Sequence, residues 1–224
     1  MRFLAMFGAM CAAFMALPAA AAEDDFNVWG GQFVFVDIDE EGDWFVRAEA
    51  QERLTQDADR LGQLLLRSFV GYRLNAKTTI GGGYAYILTD PVGPTQINEH
   101  RTYQEATFTL IDNGRGLRLT SRNRFEQRFF EEGGDTGLRY RNQIQLRAPI
   151  SEQNSLVLYT EPFVGVNETR FNRGGVAVWR NFAGVSVPLA EGVSFTPGYL
   201  NQYVVRDGED RMDHIMDLGV TARF

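Results

Sequence analysis

The 224-residue chain carries 22 basic and 29 acidic side chains, a formal net charge of −7. That balance excludes a nucleic-acid binder relying on an overall positive field, and the single cysteine, Cys11, excludes an intrachain disulfide. From residue 23 onward no run of about 18 apolar residues occurs, so no membrane-spanning helix is expected.

In chain order the first element is a leader. Arg2 supplies a charged start, Phe3 to Leu17 an apolar run, and Ala20-Ala21-Ala22 a cleavage site before Glu23. Residues 1–22 are therefore expected to be a cleaved signal peptide, taking Cys11 with them, and residues 23–224 to form one domain. There, stretches of alternating polar and apolar residues are punctuated by turns rich in Gly, Asn and Asp. The pattern predicts strands over 27–38, 44–54, 62–74, 78–88, 100–111, 117–130, 137–149, 155–166, 176–188, 193–205 and 212–224. Such strands are long for a soluble sheet, while a tilted strand needs about 9 to 11 residues to cross a bilayer.

The connectors alternate in length. Those at 74–77, 112–115, 151–154 and 190–192 are tight, whereas those at 89–99, 131–135, 167–175 and 206–211 are mostly longer and more polar, the asymmetry of an outer-membrane barrel. The expected fold is all-β, a closed antiparallel transmembrane β-barrel of 10–12 strands with up-and-down topology. An odd count is unusual for such barrels. Counting back from a periplasmic Phe224 leaves 27–38 as the extra strand, which either fails to span or marks a misread hairpin.

Side-chain alternation divides each strand into two faces. In Leu117 to Phe130, the even positions hold Arg118, Thr120, Arg122, Arg124, Glu126 and Arg128, and the odd ones Leu117, Leu119, Phe125 and Phe129, with Ser121, Asn123 and Gln127 interrupting the apolar side. The same ionic face elsewhere collects Arg47, Glu49, Gln51, Arg53, Arg67, Arg101, Tyr103, Glu105, Arg139, Arg141, Gln143, Gln145, Arg147, Glu161, Arg180, Asp213, Asp217 and Arg223. The opposite face carries Val46, Leu64, Leu66, Val70, Phe108, Leu110, Leu138, Ile144, Leu146, Val157 or its neighbours, Met216, Leu218, Val220 and Phe224. An apolar exterior around a polar lumen is the membrane version of this pattern; a secreted barrel or sandwich is its inverse. Counted inward, thirteen arginines face six acids, Glu49, Glu105, Glu126, Glu161, Asp213 and Asp217, a surplus of seven positive charges.

Several stretches then resemble a bacterial outer-membrane β-barrel family known only as a domain of unknown function: Trp29, the strand from Arg47 to Arg53, Arg67 with Gly71-Tyr72, Glu99 to Gln104, Arg122 to Arg128, Arg139 to Arg141, Arg180-Asn181 and Gly198 to Gln202. The resemblance covers almost all of 23–224. Met212 to Phe224 resembles the aromatic-ended last strand that such barrels present to the barrel assembly machinery, which makes Phe224 the assembly signal. The family brings fold and address without a chemistry.

Few residues suggest catalysis. His100 and His214, with Asp213, are the candidates for a hydrolase site, but no nucleophile motif accompanies them, and polar residues at a barrel rim are the simpler account. Asp37 to Asp43 resembles the start of a calcium loop, but Ala48 stands where the twelfth-position Glu belongs. Tyr72, Tyr84, Tyr86, Trp179, Tyr199 and Tyr203 suit an interfacial girdle. The expectation is a barrel without cofactor or metal. Its polar network is Arg47, Glu49, Arg53, Arg67, Arg101, Glu105, Arg122, Arg124, Glu126, Arg128, Arg139, Arg141, Glu161 and Arg180. Its expected partners are the lipid bilayer, the assembly machinery and small anions. It serves as a narrow channel or binding barrel, as a surface hydrolase, or as a structural barrel filled by its own salt bridges.

Overall fold

The computed structural model describes residues 23–90 and 95–224; the expected leader, with Cys11, lies outside them. Eleven strands follow in chain order: β1 (Glu23–Asp37), β2 (Trp44–Thr55), β3 (Arg60–Asn75), β4 (Thr78–Thr89), β5 (Ile97–Asp112), β6 (Arg118–Phe130), β7 (Gly137–Pro149), β8 (Ser155–Gly165), β9 (Gly175–Ala190), β10 (Val193–Val204) and β11 (Arg211–Arg223). Each pairs with its neighbour in sequence, and β1 closes the ring against β11.

One seam departs from the expected antiparallel order. β1 runs parallel to β11, in register from Glu23 opposite Arg211 to Phe35 opposite Arg223, and antiparallel to β2. The strand expected over 27–38 is thus a full wall member. An odd number of up-and-down strands can close only through one parallel pair, because first and last then run in the same direction. Phe224 fastens the lower end of the seam, its amide donating to the Phe35 carbonyl at 2.9 Å and its carbonyl accepting from Asp37 N at 3.1 Å.

One rim carries the turns 38–43, 76–77, 113–117, 150–154 and 191–192, the other the connections 56–59, 131–136, 166–174 and 205–210, together with the end of β4 and the start of β5. Local chemistry explains the tight ones. Asn113 Oδ1 accepts from the amides of Arg115 and Leu117 at 2.9 and 3.0 Å, beside Gly114 at φ +65°, a left-handed conformation that glycine adopts without a Cβ clash. In the 38–43 turn, Asp39 Oδ1 accepts from Trp44 N at 2.9 Å, and Asp37 holds Arg73 at 2.8 Å.

The faces follow the alternation. Leu66, Val70, Phe108, Leu110, Met216 and Val220 point outward and are exposed. Val157 is an exception: it is 7% exposed and packs inside with Trp29, Phe182, Leu200 and Ile215, so its neighbours Leu156 and Leu158 are the outward residues of β8. Inward apolar side chains form two further clusters, Phe45 with Phe69 and Tyr103, and Leu65 with Ala85 and Ile87. The first is possible because β4 is bare at Gly81 and Gly83. A Cβ there would lie 2.4 Å from Phe69 Cζ and 2.5 Å from the Tyr103 hydroxyl, respectively. Part of the lumen is therefore apolar, which the charge pattern does not reveal.

Candidate functional site in the lumen

The arginine strands deliver their charges to the interior, and the contacts prove the direction. Arg47 of β2 reaches Glu105 of β5 at 3.2 Å across the intervening strands, and Arg122 of β6 reaches Glu161 of β8 at 2.9 Å. Between them runs a continuous ladder. Glu105 takes Arg124 at 2.5 Å; Arg124 lies 3.6 Å from Glu126; Glu126 takes Arg139 at 2.5 Å and Arg141 at 3.1 Å; and Arg141 passes to Glu161 at 2.9 Å. Arg67 and Glu49 pair beside it at 2.7 Å. Arg124 and Glu126 are each only 1% exposed. Charges so deep are tolerable only when paired and hydrogen-bonded.

The inward charge count left out several residues, among them Asp25, in register with the inward Asp213, and Arg211, which binds Asp213 at 2.7 Å. Glu99, which the alternation of β5 also turns inward, binds Arg101 at 2.5 Å and Arg128 at 2.6 Å. Nine of the thirteen counted arginines have a carboxylate within 4.0 Å: Arg47, Arg67, Arg101, Arg118, Arg122, Arg124, Arg128, Arg139 and Arg141. Arg53, Arg147, Arg180 and Arg223 have none among the described residues. Arg147 donates to Ser186 Oγ at 2.9 Å, and Arg223 lies 4.0 Å from the centre of the Phe35 ring; both are near the tight-turn rim. Arg53 and Arg180 sit in the other half of the barrel. Both lie against Trp29, at 4.0 and 4.8 Å from its ring centre. The paired waist is thus flanked at both ends by guanidiniums lacking an acid.

The hydrolase candidates do not converge. Asp213 is buried inside, held by Gln202 Nε2 at 2.6 Å and Arg211 at 2.7 Å, whereas alternation turns His214 outward, where its Nδ1 meets the Tyr199 hydroxyl at 2.6 Å. His100 also faces outward, its Nε2 2.9 Å from Glu131. Tyr84, Tyr86, Tyr199, Tyr203 and Trp179 share this outer surface. The polar residues that interrupt the outer face of β6 have partners. Asn142 Nδ2 donates to Ser121 Oγ at 3.0 Å and to Asn123 Oδ1 at 2.9 Å, the Tyr140 hydroxyl donates to the same Asn123 oxygen at 2.6 Å, and Gln127 Nε2 donates to Gln104 Oε1 at 3.0 Å. Among the described residues no group of three or more His, Cys, Asp and Glu side chains is placed to hold a metal ion.

Closed wall, tyrosine-bearing exterior and charged interior together define a porin-like β-barrel. The NanC porin is similar to it in fold, at a TM-score of 0.50 and 13% identity over 83% of this chain and 92% of that one. The chain belongs to the family described as "Protein of unknown function (DUF2490)", whose model matches residues 26–213. An uncharacterized protein of Methylorubrum extorquens is 31% identical over 212 residues, 92% of this chain and 91% of the relative.

Proposed function

We propose that the chain is an outer-membrane barrel that takes small anions into an arginine-rich lumen. The observation that carries this reading is the placement of Arg53 and Arg180 toward one mouth and Arg147 and Arg223 toward the other, each without a carboxylate within 4.0 Å, around a waist whose eight arginines share five glutamates. A guanidinium keeps its proton at physiological pH, so both mouths attract anions and repel cations. The exposed outward apolar residues support a lipid environment, because a closed barrel is the β-structure that leaves no backbone group unpaired in hydrocarbon. Export would use the leader at 1–22, and insertion would use the assembly machinery reading Phe224.

Reversal potentials of the refolded protein in planar bilayers under a potassium chloride gradient test the reading. Anion selectivity is expected, reduced by Arg180→Glu; cation selectivity in the unmodified protein overturns it. A second reading, a structural barrel filled by its own ion pairs, has support in the burial of Arg124 and Glu126. A flat trace from correctly folded protein favours that one.

A further inference from the structure

We infer that the lumen holds a discrete site for a small carboxylate on Arg53, Arg180 and Trp29, in the half of the barrel nearer the 56–59 turn. Six strands build it. Arg53 of β2 pairs across the wall with Trp29 of β1, and its Nη1 and Nη2 donate to Gln63 Oε1 and Gln51 Oε1 at 2.6 and 2.7 Å. Those two amides hold the guanidinium over the indole, while its Nε is buried without a partner. Arg180 of β9 is fixed through Nε, which donates to Gln202 Oε1 of β10 at 2.8 Å, and lies between Trp29 and Phe163, 4.8 and 4.7 Å from their ring centres. Its two terminal nitrogens make no hydrogen bond among the described residues. Trp29 is 7% exposed, and its Nε1 is buried with no acceptor.

Pre-oriented donors without acceptors, on two cations, describe an anion site. Guanidiniums lying on aromatic faces direct their N–H groups in plane, and here Arg180 keeps both terminal nitrogens and Arg53 its Nε for a carboxylate. Glu49 is matched by Arg67 and Asp213 by Arg211. Asp217, in register with Trp29, and Asp25, in register with Asp213, are the other acids of this half, and neither makes an ion pair with Arg53 or Arg180, so both guanidiniums keep donors for an incoming carboxylate. The inference rests on the anion-accepting reading of the lumen, and binding separates the two.

Isothermal titration of the refolded barrel in a zwitterionic detergent, with gluconate against sorbitol, tests it, since the two probes differ only at the carboxylate carbon. Saturable heat at one equivalent of gluconate and none with sorbitol is expected. Arg53→Gln and Arg180→Gln should each weaken binding about tenfold or more, while Arg118→Gln, at the opposite rim, should leave it unchanged. Heat-modifiable gel mobility of each variant separates lost binding from lost fold, and Arg180→Lys, keeping the charge without the fork, should bind between wild type and Arg180→Gln. No gluconate heat, equal competition by chloride at the same concentration, or undiminished binding in folded Arg53→Gln and Arg180→Gln overturns the site. Binding without conductance leaves the site standing and removes the channel. Anion-selective conductance without binding does the reverse.

Discussion

At the residue scale, Glu126, like Glu105, has three arginines within 4.0 Å. It accepts from Arg139 and Arg141 and neighbours Arg124, so Glu126→Gln leaves the buried Arg139 without a carboxylate and takes one of two from Arg124 and Arg141. Urea unfolding of the refolded barrel should show a loss of about 3–5 kcal/mol, the usual consequence of removing one partner of a buried pair. Arg118 pairs with Asp112 at the solvent-exposed turn rim, and Arg118→Gln should lose about 1 kcal/mol or less. Outside the wall, the Tyr203 hydroxyl, and then the Arg206 amide, hold the Asp210 carboxyl below the ordinary aspartate range. The folded state thus favours the ionised form. The stabilisation is present above the unfolded aspartate pKa and is lost as pH falls through the lower folded value. Tyr203→Phe should move the Asp210 midpoint, followed by carboxyl-carbon NMR, upward.

At the scale of elements, the seam makes a directional claim. β1 enters from the rim that carries 205–210 and ends at the rim that carries 38–43. No cysteine lies among the described residues, so single-cysteine labelling is clean. Asp25→Cys and Gly208→Cys should react with a membrane-impermeant maleimide from one side of a vesicle, and Asn113→Cys from the other; labelling of Asp25→Cys together with Asn113→Cys would reverse the direction of β1. Strand positions and faces were legible because alternation records which side a residue takes: Arg122, Arg124, Arg139 and Arg141 were placed from it alone. The pattern is blind to strand direction, so it could not reveal a parallel seam. It also passed over Phe45, Leu65 and Phe69, whose strands have apolar residues on both faces. The signal for those was in glycines: Gly81 and Gly83 recur at the strand period because two rings press against them. Ser121, Asn123 and Gln127, which interrupt the apolar side of β6, are the outward members of a hydrogen-bonded amide and hydroxyl set, which lowers the penalty of turning them toward the lipid proposed to surround the barrel.

At the scale of the whole molecule, closure concentrates its importance in the last residues. Phe224 is bonded through its backbone to Phe35 and Asp37 while its ring is exposed, free for the assembly contact proposed for it. Deleting Phe224 should lower outer-membrane levels in cell fractionation, with the surviving fraction retaining heat-modifiable mobility; normal membrane levels would remove its assembly role. An excess of inward arginines was legible from the sequence, but neither its size, which Glu99, Asp25 and Arg211 change, nor its distribution was. Which guanidinium meets which carboxylate depends on approach across the lumen, as between Arg47 and Glu105 or Arg122 and Glu161, and spacing along the chain does not encode that.

The parallel seam also decides how this polypeptide can be rewired. A barrel with an even strand number keeps its two termini on one rim, where a few residues would join them. Here the two ends of the described wall, Glu23 and Phe224, lie on opposite rims, and a splice between them must travel the height of the wall: β1 alone has 15 residues at about 3.3 Å each. Outside, that splice would drag unpaired backbone along the apolar surface; inside, it would have to pass the waist where Arg124 and Glu126 are packed. Circular permutation, routine for many domains whose ends are close, is therefore closed to this one unless a strand is added or removed.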